Sequence, residues 1–138
     1  MKLWAISDLH VAHAENRGLI KDLHAHPDDW LILGGDIGET ADELHFVLET
    51  LNPRFRRLVW VPGNHDLWTT SPGSLRGDAK YSALVALCRA HGVLTPEDPY
   101  ELFHDGARSY LIAPLFTLYD YSFGPAGMGP DAARAWAR

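Results

Sequence analysis

Three short stretches of the chain gather side chains that bind metals and move protons: Asp8-Leu9-His10, Gly35-Asp36 and Gly63-Asn64-His65-Asp66. Carboxylate, imidazole and amide oxygen together suit Mn, Fe or Zn better than a soft thiolate site or an all-oxygen calcium cage. Imidazole also has an ordinary pKa near neutral pH, so a histidine in such a cluster can hand over a proton. Each stretch alone has a plain alternative: Asp8 as a turn former, Gly35-Asp36 as a loop, Asn64 and Asp66 as Asx-turn residues. Their shared context argues against it. Each follows an apolar run: Leu3-Trp4-Ala5-Ile6, Trp30-Leu31-Ile32-Leu33 and Arg57-Leu58-Val59-Trp60-Val61.

Such runs read as buried strands, the first over residues 2–7, and the Gly34-Gly35 and Pro62-Gly63 pairs that follow two of them mark sharp turns. Helices are expected between them. The first fits Arg17 to His24, with Asn16 as N-cap, Leu19, Ile20 and Leu23 on one face, and Pro27 as the stop. The second has the clearest signal: Thr40 and Glu43 form a capping box, and Leu44, Val47, Leu48 and Leu51 repeat with helical period before Asn52-Pro53 ends it. A third runs from Asp78 to Ala90, burying Tyr81, Leu84, Val85 and Cys88, with Gly92 just past its end. Glu101–Phe103 and Arg108–Ile112 flank Asp105-Gly106 as a hairpin. Pro114 to Phe123 reads as irregular, Gly124 to Pro130 as a connector, and Asp131 to Arg138 as strong helix formers without a stop signal. Strand and helix alternating at short spacing mean βαβ units in a mostly parallel α/β sheet. Loops after the carboxyl ends of such strands line one edge, so the three stretches converge by topology.

In this order and spacing, Asp8-x-His10, Gly35-Asp36 and Gly63-Asn64-His65-Asp66 resemble the opening motifs of the calcineurin-like metallophosphoesterase family. The resemblance implies an α/β sandwich of two sheets. The chain would be its N-terminal part, a single incomplete domain over residues 1–138, because the family's later lone His and Gly-His-x-His do not follow Asp66. Two divalent ions, Mn, Fe or Zn, are implied. Asp8 and His10 would hold one, Asn64 the other, and the Asp36 carboxylate would bridge them. A hydroxide between the ions would attack phosphorus, His65 would protonate the leaving oxygen, and Asp66 would orient His65. The implied activity is hydrolysis of a small phosphodiester or phosphomonoester. The stretch Gly35-Asp36-Ile37-Gly38-Glu39-Thr40 departs from the Gly-Asp-x-x-Asp-Arg-Gly of Ser/Thr protein phosphatases and tilts toward bacterial-type phosphoesterases. With its ligand set incomplete, the chain alone is expected to be weakly active or inactive. The rival reading is a non-catalytic scaffold module, or an inactive fragment that keeps the fold.

Composition narrows the partners. A net charge of −6 over 138 residues offers no basic cluster for long nucleic acids, so a small phosphoester is the expected substrate. A second chain or a C-terminal segment is the expected partner completing the site. The lone Cys88 permits no internal disulfide. There is no leader pattern and no apolar run near the roughly 20 residues of a membrane span, so a cytoplasmic location is expected. Among the remaining histidines, His24, His26 and His91 should lie at the opposite end from the ligand loops, His45 in solvent and His104 in the hairpin. His13 is nearest the first ligand loop, and Trp68 and Tyr119 could wall a substrate pocket.

Overall fold

The computed structural model describes residues 1–69, 71–117 and 127–136. In chain order its elements are β1 (Leu3–Ile6), α1 (Ala14–Asp22), β2 (His26–Leu33), α2 (Ala41–Leu51), β3 (Phe55–Trp60), α3 (Asn64–Leu67), α4 (Gly77–Ala90), β4 (Glu101–His104), β5 (Ser109–Ile112) and α5 (Pro130–Trp136). β1, β2 and β3 form a parallel sheet in that order, with Ala5 opposite Ile32 and Ile32 opposite Val59. β4 and β5 form a separate antiparallel hairpin. The α/β architecture with a parallel βαβ sheet and a hairpin near residues 101–112 is therefore the observed one.

The two-residue period of the strands sorts their side chains between two cores. Leu31, Leu33, Leu58 and Trp60 face the helices and pack with Ile20, Leu44, Val47, Leu48, Leu51, Leu84 and Cys88. Trp30 and Val59 face the other way and pack with Leu94 and Phe103, the Trp30 and Phe103 rings meeting edge-on at 5.7 Å. A sheet covered on both faces explains why its strands read as nearly unbroken apolar runs. Beyond β3, the chain at Leu94 continues the ladder: Trp60 donates to the Leu94 carbonyl and Leu94 to the Leu58 carbonyl, at 2.8 and 3.1 Å.

Several boundaries move. α1 starts at Ala14 with His13 as N-cap, because Asn16 is drawn inside the helix, where its side-chain amide donates to the Leu9 carbonyl at 2.8 Å. β2 starts at His26, with a register irregularity between His26 and Trp30 that accommodates Pro27, a residue without an N–H to donate. The His26 ring packs 5.0 Å from Trp4 and 5.7 Å from Phe55, at the end of the sheet away from the ligand loops. His45 is partly solvated, its side chain 45% exposed, with Nδ1 3.1 Å from His91 Nε2 and Nε2 3.3 Å from Glu49. His104 pairs with Ser109 across the hairpin at 2.7 Å. Tyr119 and residues 124–126 of the expected connector lie outside the described residues.

Candidate metal centre

The loop after β1 runs alongside the loop after β2. Asp8, His10 and Val11 donate their N–H groups to the carbonyls of Gly35, Asp36 and Ile37 at 3.1, 3.1 and 3.0 Å. This extends the β1–β2 pairing past the strand ends and brings the first two ligand stretches side by side. Among the described residues, the non-glycine residues with left-handed backbone are Asp8, His10 and Asp36, at φ of 57°, 42° and 53°. That conformation costs an L-residue about 1–2 kcal/mol and is typically held where side chains must be aimed. All three are expected metal ligands.

The loop after β3 closes against the loop after β2 at two glycines. A Cβ on Gly35, which has φ +87°, would fall 2.4 Å from the Gly63 nitrogen, and one on Gly63 would fall 2.1 Å from Asp36 Oδ1. Only a side chain of hydrogen allows this approach. It lets the His65 N–H donate to Asp36 Oδ1 at 2.9 Å, leaving Oδ2 for other partners. Asp66 fastens the same junction. Its Oδ2 accepts from Gly63 and Asp36 at 2.7 and 2.8 Å and its Oδ1 from Ile37 at 3.2 Å. Burial pushes the Asp66 carboxyl above the usual range, against the pull of the backbone N–H groups of Gly63, Asp36, Gly38 and Ile37.

Asp66 is expected to orient His65, and the hydrogen bonds described for its carboxylate are all to backbone N–H groups. Both of its oxygens are engaged by backbone, and it latches two loops together. The carboxylate beside the His65 imidazole is that of Glu39, with Oε1 3.4 Å from Nδ1. Glu39 is held in turn by the capping box of α2, whose Glu43 carboxylate accepts from the Glu39 and Thr40 N–H groups at 2.6 and 3.1 Å. Trp68 covers the His65 ring, centroids 3.6 Å apart. Sequence reasoning missed Glu39, although it occupies the second acidic position of a Gly-Asp-x-x-Asp pattern. It also missed Lys80, which the helical pattern of α4 does not distinguish from a solvated lysine. Lys80 is buried, and its ammonium donates to the carbonyls of Glu39 (2.8 Å) and Trp68. Burial pulls it below its ordinary pKa, opposed by the charges of Asp66, Glu39 and Glu43.

His10, Asp36 and His65 each offer a ligand atom within 4.8 Å of the others, the two imidazoles meeting edge-on at 4.7 Å. Asp8 stays outside that trio, exposed on the first loop, and Asn64 is exposed at the first position of α3. No hydrogen bond among the described residues engages the side chains of Asp8, His10 or Asn64. The half-buried imidazoles of His10 and His65 converge with the Asp36 carboxylate, a mixed nitrogen and oxygen set that fits a divalent ion of borderline softness. His65, expected only as a proton donor, also lies close enough to share an ion with His10 and Asp36.

A family profile described as calcineurin-like phosphoesterase matches residues 1–124. The chain belongs to this family. Its similarity extends to the [acyl-carrier-protein] phosphodiesterase PptH of Mycobacterium tuberculosis, 46% identical over 133 residues, which are 94% of this chain and 41% of that protein. The crystal structure of phosphopantetheinyl hydrolase (PptH) from the same organism superposes with a TM-score of 0.87 at 44% identity, covering 98% of this chain and 49% of that one. The chain thus spans less than half the length of the relatives it matches. Among calcineurin-like phosphoesterases divalent metal is implied by membership, and the loops described above are where this chain offers ligands for it. No described helix is long and apolar enough to cross a membrane.

Proposed function

We propose that this chain carries the front of a metal-dependent phosphodiesterase site, and that the ester it serves is a phosphopantetheinyl diester of the kind named for PptH. The observation that carries the reading is the coincidence of backbone strain with ligand type at Asp8, His10 and Asp36. Two divalent ions would be held here, with Asp36 serving both, Asp8 and His10 one, and Asn64 the other. When bound, the ions supply an activated water and offset charge on the phosphoryl oxygens. The chain's own residues do the rest. The Gly35–Gly63 contact and the Asp66 latch fix the distance between the second and third loops. Glu39 faces His65 Nδ1, which leaves Nε2 to protonate the departing oxygen, and Trp68 restricts the ring's rotation. The remaining ligands come from a C-terminal segment or a second chain.

The test is hydrolysis of bis-nitrophenyl phosphate with excess Mn by this chain, alone and mixed with a polypeptide matching the uncovered part of PptH. Weak or undetectable turnover alone, rising in the mixture and abolished by Asp36→Asn, is expected. A stable complex that binds no metal and hydrolyses nothing would favour a scaffold role.

A further inference from the structure

Next to His65 the chain builds a cleft of about 360 Å3 that the metal centre does not use. Glu39 and Trp68, the two residues that flank the His65 imidazole, both line it, so the cleft adjoins the surroundings of His65 without including His65 itself. Its walls are mainly apolar and include Leu75, Ala83 and Leu84. Trp68 and Leu75 are 48% and 54% exposed there, large apolar surfaces left facing water. The cleft also holds one cation. Lys80 is only 8% exposed, and its ammonium has three N–H donors, of which two go to the carbonyls of Glu39 and Trp68. The third has no partner among the described residues.

A mainly apolar cleft with a single buried cation selects a particular kind of ligand. Its volume lies near the lower end of the roughly 300–1,000 Å3 typical of small-molecule sites, enough for a slender chain. A short polar ester arm would leave Trp68 and Leu75 wet. A long apolar arm with no acceptor would leave the Lys80 donor buried and unpaired, which is costly. An aliphatic arm punctuated by amide carbonyls satisfies both. We propose that this cleft binds one ester arm of the phosphodiester, and that the arm is of the pantetheine type, with an amide oxygen accepting from Lys80. The inference deepens the function proposed above and rests on it for the word "ester"; the binding itself needs neither metal nor hydrolysis.

Pantetheine, which carries no phosphate, is therefore the probe. It is titrated into the metal-free 138-residue chain and followed by NMR. Saturable shifts at the Trp68 indole N–H and the Leu75 methyls are expected. Leu75→Asp, at an exposed position that cannot unfold the protein, should weaken binding about tenfold by removing one apolar wall. Ala83→Leu, which narrows the cleft from α4, should do the same, and neither variant should change Mn content after metal loading. Shifts confined to other surfaces, no saturation, or affinity indifferent to both variants would overturn the proposal. Because the titration is run without metal, loss of metal binding or hydrolysis bears on the proposed function alone.

Discussion

Replacing Gly63 by alanine tests whether the close approach of two loops makes the metal centre. Its backbone φ of −94° suits any residue, so no conformational strain enters. The added methyl would lie 2.1 Å from Asp36 Oδ1, where ordinary contact begins at 3.4 Å, so about 1.3 Å must be recovered. The carboxylate cannot swing away to recover it all, because the Asp36 nitrogen lies 2.6 Å from the same methyl. Overpacking of this kind costs about 1–3 kcal/mol. For a chain of this size that lowers Tm by roughly 4–12 °C. The effect on metal should be larger, since ligand distances tolerate only about ±0.2 Å. A loss of about 100-fold in Mn affinity is expected, read by calorimetric titration beside a thermal melt. Gly73→Ala is the control: its φ of +85° strains alanine but nothing lies within 4 Å of the added methyl, so it should lower Tm without altering Mn affinity. A Gly63→Ala protein that binds Mn as its parent does would refute the reasoning.

Other outcomes follow from the same contacts. Asp66→Asn turns one acceptor toward N–H donors as an NH2 group and should destabilise the chain by about 2–4 kcal/mol in urea denaturation, with a fall in Mn affinity; a neutral effect would deny the latch. Glu39→Gln should leave Mn content unchanged in the mixture with the PptH segment, yet slow cleavage of alkyl esters more than nitrophenyl esters; equal losses would separate Glu39 from proton donation. Burial pushes the Asp98 carboxyl up, but the Thr95 hydroxyl, the Arg89 guanidinium and the Thr95 N–H outweigh it and hold the group below its ordinary value. Its stabilisation is then present above about pH 4 and lost as pH falls through the lowered value. Asp98→Asn should therefore cost stability at pH 7, and the difference should close as pH falls through the lowered value; a difference that persists in strong acid would break this assignment.

The elements that position the site are legible because their signals are local. The capping box at Thr40 and Glu43 appears as written in the sequence, and the apolar runs become the strands whose ends carry Asp8, Asp36 and Asn64. What escaped depends on contacts between distant residues. Whether Asp66 or Glu39 faces His65 is decided by which carboxylate the Asp36 and Ile37 N–H groups capture, across 29 to 30 residues. The left-handed backbone at Asp8, His10 and Asp36 has no glycine to announce it; it follows from pairing two loops side by side. Lys80 is buried by the loop that carries Trp68, which no periodicity in α4 could reveal. His45 likewise meets His91 through the packing of α2 on α4. Local pattern thus delivers each loop to the sheet edge, and tertiary contact sets the division of labour among its carboxylates.

In the proposed site Asp36 anchors a divalent metal together with His10. Anomalous diffraction from crystals of this chain grown with Mn tests it most directly. A Mn peak in contact with the Asp36 carboxylate and the His10 imidazole is expected, as is its disappearance from Asp36→Asn crystals. Mn bound elsewhere, or a peak that survives that substitution unchanged, would contradict it.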